Sequence, residues 1–194
     1  MIERSTRSTW VDELFSENAT YARLLDVEKA LARVLADLGV IPDEAAWAIG
    51  TLAPERVIDL DALSKTFATV GFPIVGLVKR IVAETPDRLG QYAHWGATTQ
   101  DIMDTGLVLA LRDVVDRLDV KLGQISDKMA LLADAHAATL MAGRSQLQQA
   151  VPITFGAKAV AWIGALDRHR DRLGDLCPRL LVVQFAGAVG TNAA

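Results

Sequence analysis

The chain has 194 residues, of which 51% are apolar and 23% charged, with a net charge of −4 and a single cysteine, Cys177. Those figures exclude a disordered chain, a strongly basic nucleic-acid binder and a disulfide-stapled scaffold. They leave a globular protein able to bury a core as one large domain or two small ones. No apolar stretch approaches the roughly 18 residues that span a bilayer, and the N-terminal Met1–Arg7 lacks a signal-peptide apolar run. A soluble cytoplasmic protein is expected, with neither membrane nor nucleic acid as partner. The mean hydropathy of +0.24 is high for a monomer of this size and points to a large core or a second face buried against other subunits.

In the first hundred residues the apolar spacing predicts short helices and no convincing strand pair. Leu24, Val27, Leu31, Val34 and Leu38 step by threes and fours, with Asn18 a plausible cap and Gly39 a plausible stop. Pro42 opens a helix to Leu52, and Asp59 caps another from Leu60 to about Thr69. Val70-Gly71-Phe72-Pro73 breaks the pattern, and Ile74–Val82 resumes it until Thr85-Pro86.

The stretch Tyr92-Ala93-His94-Trp95-Gly96-Ala97-Thr98-Thr99-Gln100-Asp101-Ile102-Met103-Asp104-Thr105 then concentrates hydroxyls, an amide, a histidine and two carboxylates ahead of a long amphipathic run. Thr98 with Asp101 fits a capping box, in which the threonine hydroxyl accepts a backbone N–H of the first turn. The remaining free N–H groups and the positive helix end suit a carboxylate, sulfonate or phosphate.

Beyond it, Leu107, Leu111, Val114, Leu118, Leu122, Ile125, Met129, Leu132 and His136 recur at a mean step of about 3.6 residues, the α-helical repeat. A helix of roughly 50 Å, at about 1.5 Å per residue, belongs in a bundle. Thr139–Gln149 reads as a connection, and Pro152 as the start of a second long helix towards Leu176. Asp167–Arg172 reads as a solvated charged face, Pro178 as a kink, and Gln184–Gly190 as a glycine-rich loop. The fold class is therefore all-α: a short-helix N-terminal domain over 1–105 followed by the first long helices of a bundle domain over 106–194.

Three segments carry a resemblance. His94–Gly106, Gly143-Arg144-Ser145-Gln146-Leu147-Gln148-Gln149-Ala150-Val151-Pro152-Ile153-Thr154-Phe155-Gly156 and Pro178–Thr191 look like three blocks of the fumarase/aspartase superfamily, in its order. Within it they most resemble the carboxymuconate cycloisomerases, with the adenylosuccinate lyases next. The resemblance implies that Thr98, Thr99 and Gln100 bind a substrate carboxylate, and that His94 makes a polar contact or relays a proton. It implies reaction through a dianionic aci-carboxylate, which needs strong donors around the carboxylate. It also implies a homotetramer whose long helices form the central bundle and whose sites are shared between subunits. Proteins of this kind are more than twice as long. The general base, on a mobile serine-containing loop, is expected outside this chain.

The second block departs from the pattern. Gln146 stands where fumarase and adenylosuccinate lyase relatives have a histidine, and Gln149 where many cycloisomerases have one. Glutamine donates and accepts hydrogen bonds but moves no proton at neutral pH. Arg144, Ser145, Gln148 and Gln149 are thus expected to bind and orient, not to act as acid or base. His136 reads as a packed helix residue, His169 as part of the charged face, and Cys177 as unassisted by any neighbouring histidine. No metal-ligand spacing or nucleotide fingerprint occurs, so no cofactor is expected.

The activity the resemblance implies is cycloisomerisation of 3-carboxy-cis,cis-muconate, or a related substituted muconate, to a muconolactone in aromatic (protocatechuate) degradation. The substrate is a small anionic di- or tricarboxylate. Two alternatives remain open. One is an adenylosuccinate- or argininosuccinate-type lyase releasing fumarate, against which Gln146 speaks; the other is a non-catalytic helical oligomerisation module.

Overall fold

The computed structural model describes residues 9–191. They cluster into two compact units, one comprising the residues up to 110 together with those from 182 onward, the other 111–181.

The first unit holds helices α1 (Thr9–Leu14), α2 (Glu17–Asp37), α3 (Asp43–Gly50), α4 (Pro54–Val57), α5 (Leu60–Val70) and α6 (Pro73–Glu84), a 3₁₀ turn over Leu89–Tyr92, and the start of α7 (Thr99–Ala135). Helix α1 precedes the first helix expected from the sequence, and the Arg23 guanidinium of α2 donates to its Leu14 carbonyl. The cap of α2 is Ser16, whose hydroxyl accepts the Ala19 N–H at 3.2 Å; Asn18 lies inside the helix. Two residues separate the candidates, and the one with extended backbone takes the role. Asp59 caps α5 as expected, accepting the Ala62 N–H at 3.1 Å. Gly71 ends α5 at φ +82°, a left-handed position, and Pro73 opens α6.

Leu24, Leu25, Ile49, Leu52, Val57, Leu63, Ile74, Leu77, Ile81 and Ile102 form one buried cluster drawn from α2 through α7. The 3₁₀ turn is pressed onto α6: a Cβ added at Gly90 would lie 2.7 Å from the Val82 Cα and 2.8 Å from its carbonyl oxygen. That turn leads straight into His94, so the packing fixes where the polar stretch begins.

The second unit holds the rest of α7, a β-hairpin and α8 (Phe155–Leu180). The hairpin corrects the expected connection and the expected helix start at Pro152. Strand β1 (Leu140–Ser145) pairs antiparallel with β2 (Gln148–Thr154), which contains Pro152. Thr154 caps α8, accepting the Ala157 N–H at 3.1 Å. Gln146 and Leu147 make the two-residue turn at φ +46° and +65°, the left-handed pair of a type I′ hairpin turn, although neither is the asparagine or glycine that usually fills it. Helix α8 continues through Pro178 to Leu180, with the Leu181 N–H on the Cys177 carbonyl.

The long stripe on α7 is helical, but Leu118 and Ile125 are exposed, and Val115 and Ala133 are its buried residues in this unit. The α8 charged run is also not merely solvated. Arg170 forms a two-pronged ion pair with Asp119 of α7 at 2.7 and 3.1 Å, and Asp167 accepts from Ser126 at 3.0 Å. Hydrogen bonding from Arg170 holds the Asp119 carboxyl below the usual aspartate range. His136, expected as a packed helix residue, falls in the turn just past α7, where it meets Thr139 at 3.1 Å and packs edge-on to Phe155. Among the described residues no helix is long and apolar enough to cross a membrane.

Replacing Gly90 by alanine drives a Cβ into the Val82 backbone, which cannot swing aside, and should lower stability by about 1–3 kcal/mol. Gly50→Ala, where the Cβ meets nothing within 4 Å, should be neutral or slightly stabilising. Chemical denaturation of both variants checks the contrast; equal effects would contradict this packing.

Candidate functional site

The loop between the 3₁₀ turn and α7 is held by two buried carboxylates. The first is Glu28, on the inner face of α2 one turn after Leu24, with 1% of its surface exposed. Its Oε2 accepts the backbone N–H of His94 at 3.0 Å, and its Oε1 lies 2.5 Å from His94 Nδ1. Both oxygens of one buried acid are therefore used by a single residue, 66 positions along the chain. His94 adopts φ +60°, a left-handed backbone uncommon outside glycine. Its N–H is turned onto Glu28 in that conformation, and Gly96 follows at φ +72°.

The second is Asp101, in the first turn of α7 and 6% exposed. Oδ2 accepts the N–H groups of Thr98 at 2.9 Å and Gly187 at 3.0 Å, and Oδ1 accepts that of Ala186 at 3.0 Å. Burial alone would push this carboxyl up. The three backbone donors and the nearby His94 outweigh it and hold the group below its usual range. A turn further on, the Thr105 hydroxyl donates to the Gln184 carbonyl and accepts the Gln184 N–H, each at 3.1 Å. The first and third sequence blocks thus meet, and Gly187 lies beside the Gly96 carbonyl at φ +74°, a left-handed backbone that suits glycine.

The capping box forms by its other half. The Asp101 N–H bonds to the Thr98 carbonyl at 3.1 Å, not to the Thr98 hydroxyl, and it is the Asp101 carboxylate that reaches back to the Thr98 N–H. The Thr98 hydroxyl is thereby left for another partner. So are the N–H groups of Thr99 and Gln100, which bond to nothing among the described residues. Thr98 and Thr99 are half-buried and Gln100 is exposed, its amide donating to Asp104 at 2.5 Å and its carbonyl free.

Of the residues expected at the site, His94, Thr98, Thr99 and Gln100 are therefore neighbours on one anchored loop of the first unit. Arg144, Ser145, Gln148 and Gln149 all lie on the exposed hairpin of the second unit. There Arg144 is paired across the strands with Gln149, and Ser145 with Gln148. Successive residues of a strand face opposite sides, so Arg144 and Gln149 share one face and Ser145 and Gln148 the other. Arg144 forms no ion pair among the described residues. No cluster of three His, Cys, Asp or Glu able to hold a metal occurs among the described residues. Glu28 was not among the residues expected at the site. A lone acid between Leu24 and Leu31 on the apolar face of α2 was the available signal.

A family model described as lyase matches residues 3–194, and the chain belongs to that family of enzymes. The 3-carboxy-cis,cis-muconate cycloisomerase of Pseudomonas aeruginosa is 44% identical over 184 residues, which are 93% of this chain and 40% of the relative. Trans-aconitate decarboxylase 1 of Mycosarcoma maydis is 40% identical over 178 residues, covering 92% of this chain and 36% of that protein. The crystal structure of a fumarate lyase from Mesorhizobium sp. BNC1 aligns with a TM-score of 0.90 and 43% identity, over 97% of this chain and 45% of that one. The chain thus spans less than half the length of these relatives.

Asp101 carries a pH signature. Its carboxyl is held low in the folded chain, so its contribution to stability is complete above the usual aspartate value of about 3.9 and is lost as pH falls through the lower folded value. At pH 7 Asp101→Asn should cost about 1–3 kcal/mol, since the amide turns a donor toward backbone N–H groups that need an acceptor. Urea unfolding at stepped pH should show that gap closing in acid; a gap constant to the lowest pH at which both fold would contradict the assignment.

Proposed function

We propose that the protein containing this chain is a cycloisomerase that converts 3-carboxy-cis,cis-muconate, or a closely related unsaturated polycarboxylate, to a lactone. In this reading a carboxylate oxygen of the substrate adds across one of its own double bonds. The adjacent carbon takes a proton, and the carboxylate next to it carries the developing charge as an aci-carboxylate. That charge needs fixed donors more than it needs a metal. The observation that carries the reading is the anchored loop, where the Thr98 hydroxyl and the Thr99 and Gln100 N–H groups have no partner among the described residues and His94 stands beside them on a buried acid.

The relatives support the substrate class. The compounds named in the Pseudomonas and Mycosarcoma relatives, 3-carboxymuconate and trans-aconitate, are both unsaturated tricarboxylates. Arg144, Ser145, Gln148 and Gln149 are assigned to further anion and hydroxyl contacts, with Arg144 the natural fork for a carboxylate. His94 is assigned a polar contact or proton relay. The general base is assigned to a residue outside positions 1–194, and no cofactor is invoked. The division into a 1–105 domain and a bundle beginning at 106 belongs to the same proposal. So does a homotetramer with shared sites, supported by exposed Leu118, Val120, Ile125 and Leu131 on α7 and Val160 and Trp162 on α8.

The direct test follows the ultraviolet loss of 3-carboxy-cis,cis-muconate with the protein that contains this chain. Turnover is expected, and Thr98→Val, which removes that hydroxyl, should reduce kcat/KM by about tenfold to a hundredfold, the value of one hydrogen bond to a charged group. Absence of turnover above background would contradict the reading. Fumarate appearing from adenylosuccinate would instead favour the lyase alternative. Light scattering is expected to give four chains per particle, and a monomer would remove the shared-site part of the proposal.

A further inference from the structure

We infer that Glu28 is a positioning residue that selects the tautomer of His94, presenting Nε2 as the bare, proton-accepting nitrogen of the neutral ring. The inference builds on the proposed role of His94, but its test does not depend on any substrate.

Glu28 is fully buried, and a buried carboxylate has to find donors for its oxygens. Both of its contacts come from His94: the main-chain N–H on Oε2 and Nδ1 facing Oε1 at 2.5 Å. The main-chain N–H can only donate, which fixes Oε2 as an acceptor. An ionised carboxylate also accepts at Oε1, so Nδ1 must carry a proton; the other neutral tautomer would set the Nδ1 lone pair against an oxygen lone pair. The ring, about one-fifth exposed (21%), then keeps Nε2 as its only nitrogen without a bond among the described residues. In the neutral form Nε2 accepts, and once protonated it donates, which is the cycle a proton relay needs.

The two contacts also restrain the ring about its own backbone. Main chain and side chain of His94 grip the same carboxylate, so the left-handed backbone at φ +60° and the ring orientation are set together. A neutral glutamine at position 28 makes the distinction sharp. Its carbonyl is required by the His94 N–H, which turns its NH₂ onto Nδ1. The ring nitrogen must then accept, and the proton moves to Nε2.

Nitrogen-15 NMR of the imidazole rings reads this directly, since the chain has three histidines and the His94 signals are assigned by their loss in His94→Gln. In the unsubstituted chain with the ring neutral, Nδ1 is expected to be the protonated, pyrrole-type nitrogen and Nε2 the pyridine-type one. In Glu28→Gln the two are expected to exchange character. The wild-type spectrum decides even if the variant does not fold. An Nε2–H ring in the unsubstituted chain would mean a protonated Glu28 donating to Nδ1, and would overturn the inference. An unchanged tautomer in a folded Glu28→Gln would overturn it as well, leaving Glu28 a purely structural acid. Inactivity towards muconates, with the tautomer as expected, would sink the proposed reaction and not this inference.

Discussion

Two buried carboxylates spend their hydrogen-bonding capacity on backbone N–H groups and one imidazole, and the arrangement of the polar loop follows from that. A carboxylate out of water is costly unless its lone pairs are filled by donors. Asp101 recruits donors from its own helix start and from the 186–187 segment, and Glu28 recruits both from His94. Each acid therefore acts as a fixed point that pins loop backbone lacking regular secondary structure. The cost of burying charge is offset by those hydrogen bonds, which also order the backbone that carries the unbonded donors. The free donors of Thr98, Thr99 and Gln100 stand on that pinned backbone. In the proposed function, little rearrangement is then required when an anion arrives, which is the condition for strong electrostatic stabilisation.

Periodicity and punctuation made the helical parts legible. Asp59, Gly71, Pro73 and the Thr85-Pro86 pair marked helix ends because each acts locally, through a cap, a left-handed stop or a missing N–H. The hairpin was not legible, for an equally local reason. Its turn is Gln146-Leu147, two side chains that ordinarily avoid positive φ, so the usual glycine or asparagine signal is absent. Pro152 within β2 added a false helix-start cue, although a proline is tolerated in a two-stranded ribbon. Glu28 was hidden because periodicity picks out the apolar members of a stripe and passes over a single acid. What that acid touches lies far along the chain, which spacing cannot reveal. Asp101 was half legible: its place in a capping box could be seen, but not that its carboxylate, rather than the threonine hydroxyl, would do the bonding.

The second unit places its recognisable residues on a short exposed ribbon. Within it Gln146 and Gln149, which the resemblance sets against histidines of some relatives, can hydrogen-bond but cannot move a proton at neutral pH. The imidazole left in the matched blocks outside helix packing is then His94, which places more weight on how that ring is held. The chain belongs to the lyase family by a match over residues 3–194, and the role of that ring is part of the proposed function.

If the backbone entering α7 is a preformed receptor for a polycarboxylate, its amides must respond to one. The most direct measurement is a proton–nitrogen correlation titration of the labelled chain with trans-aconitate, following every amide. Saturable shifts are expected, centred on the Thr98, Thr99 and Gln100 amides, with Thr105 and the core helices unmoved. Shifts confined to other surfaces, or none at those three amides at any concentration, would contradict the preformed receptor.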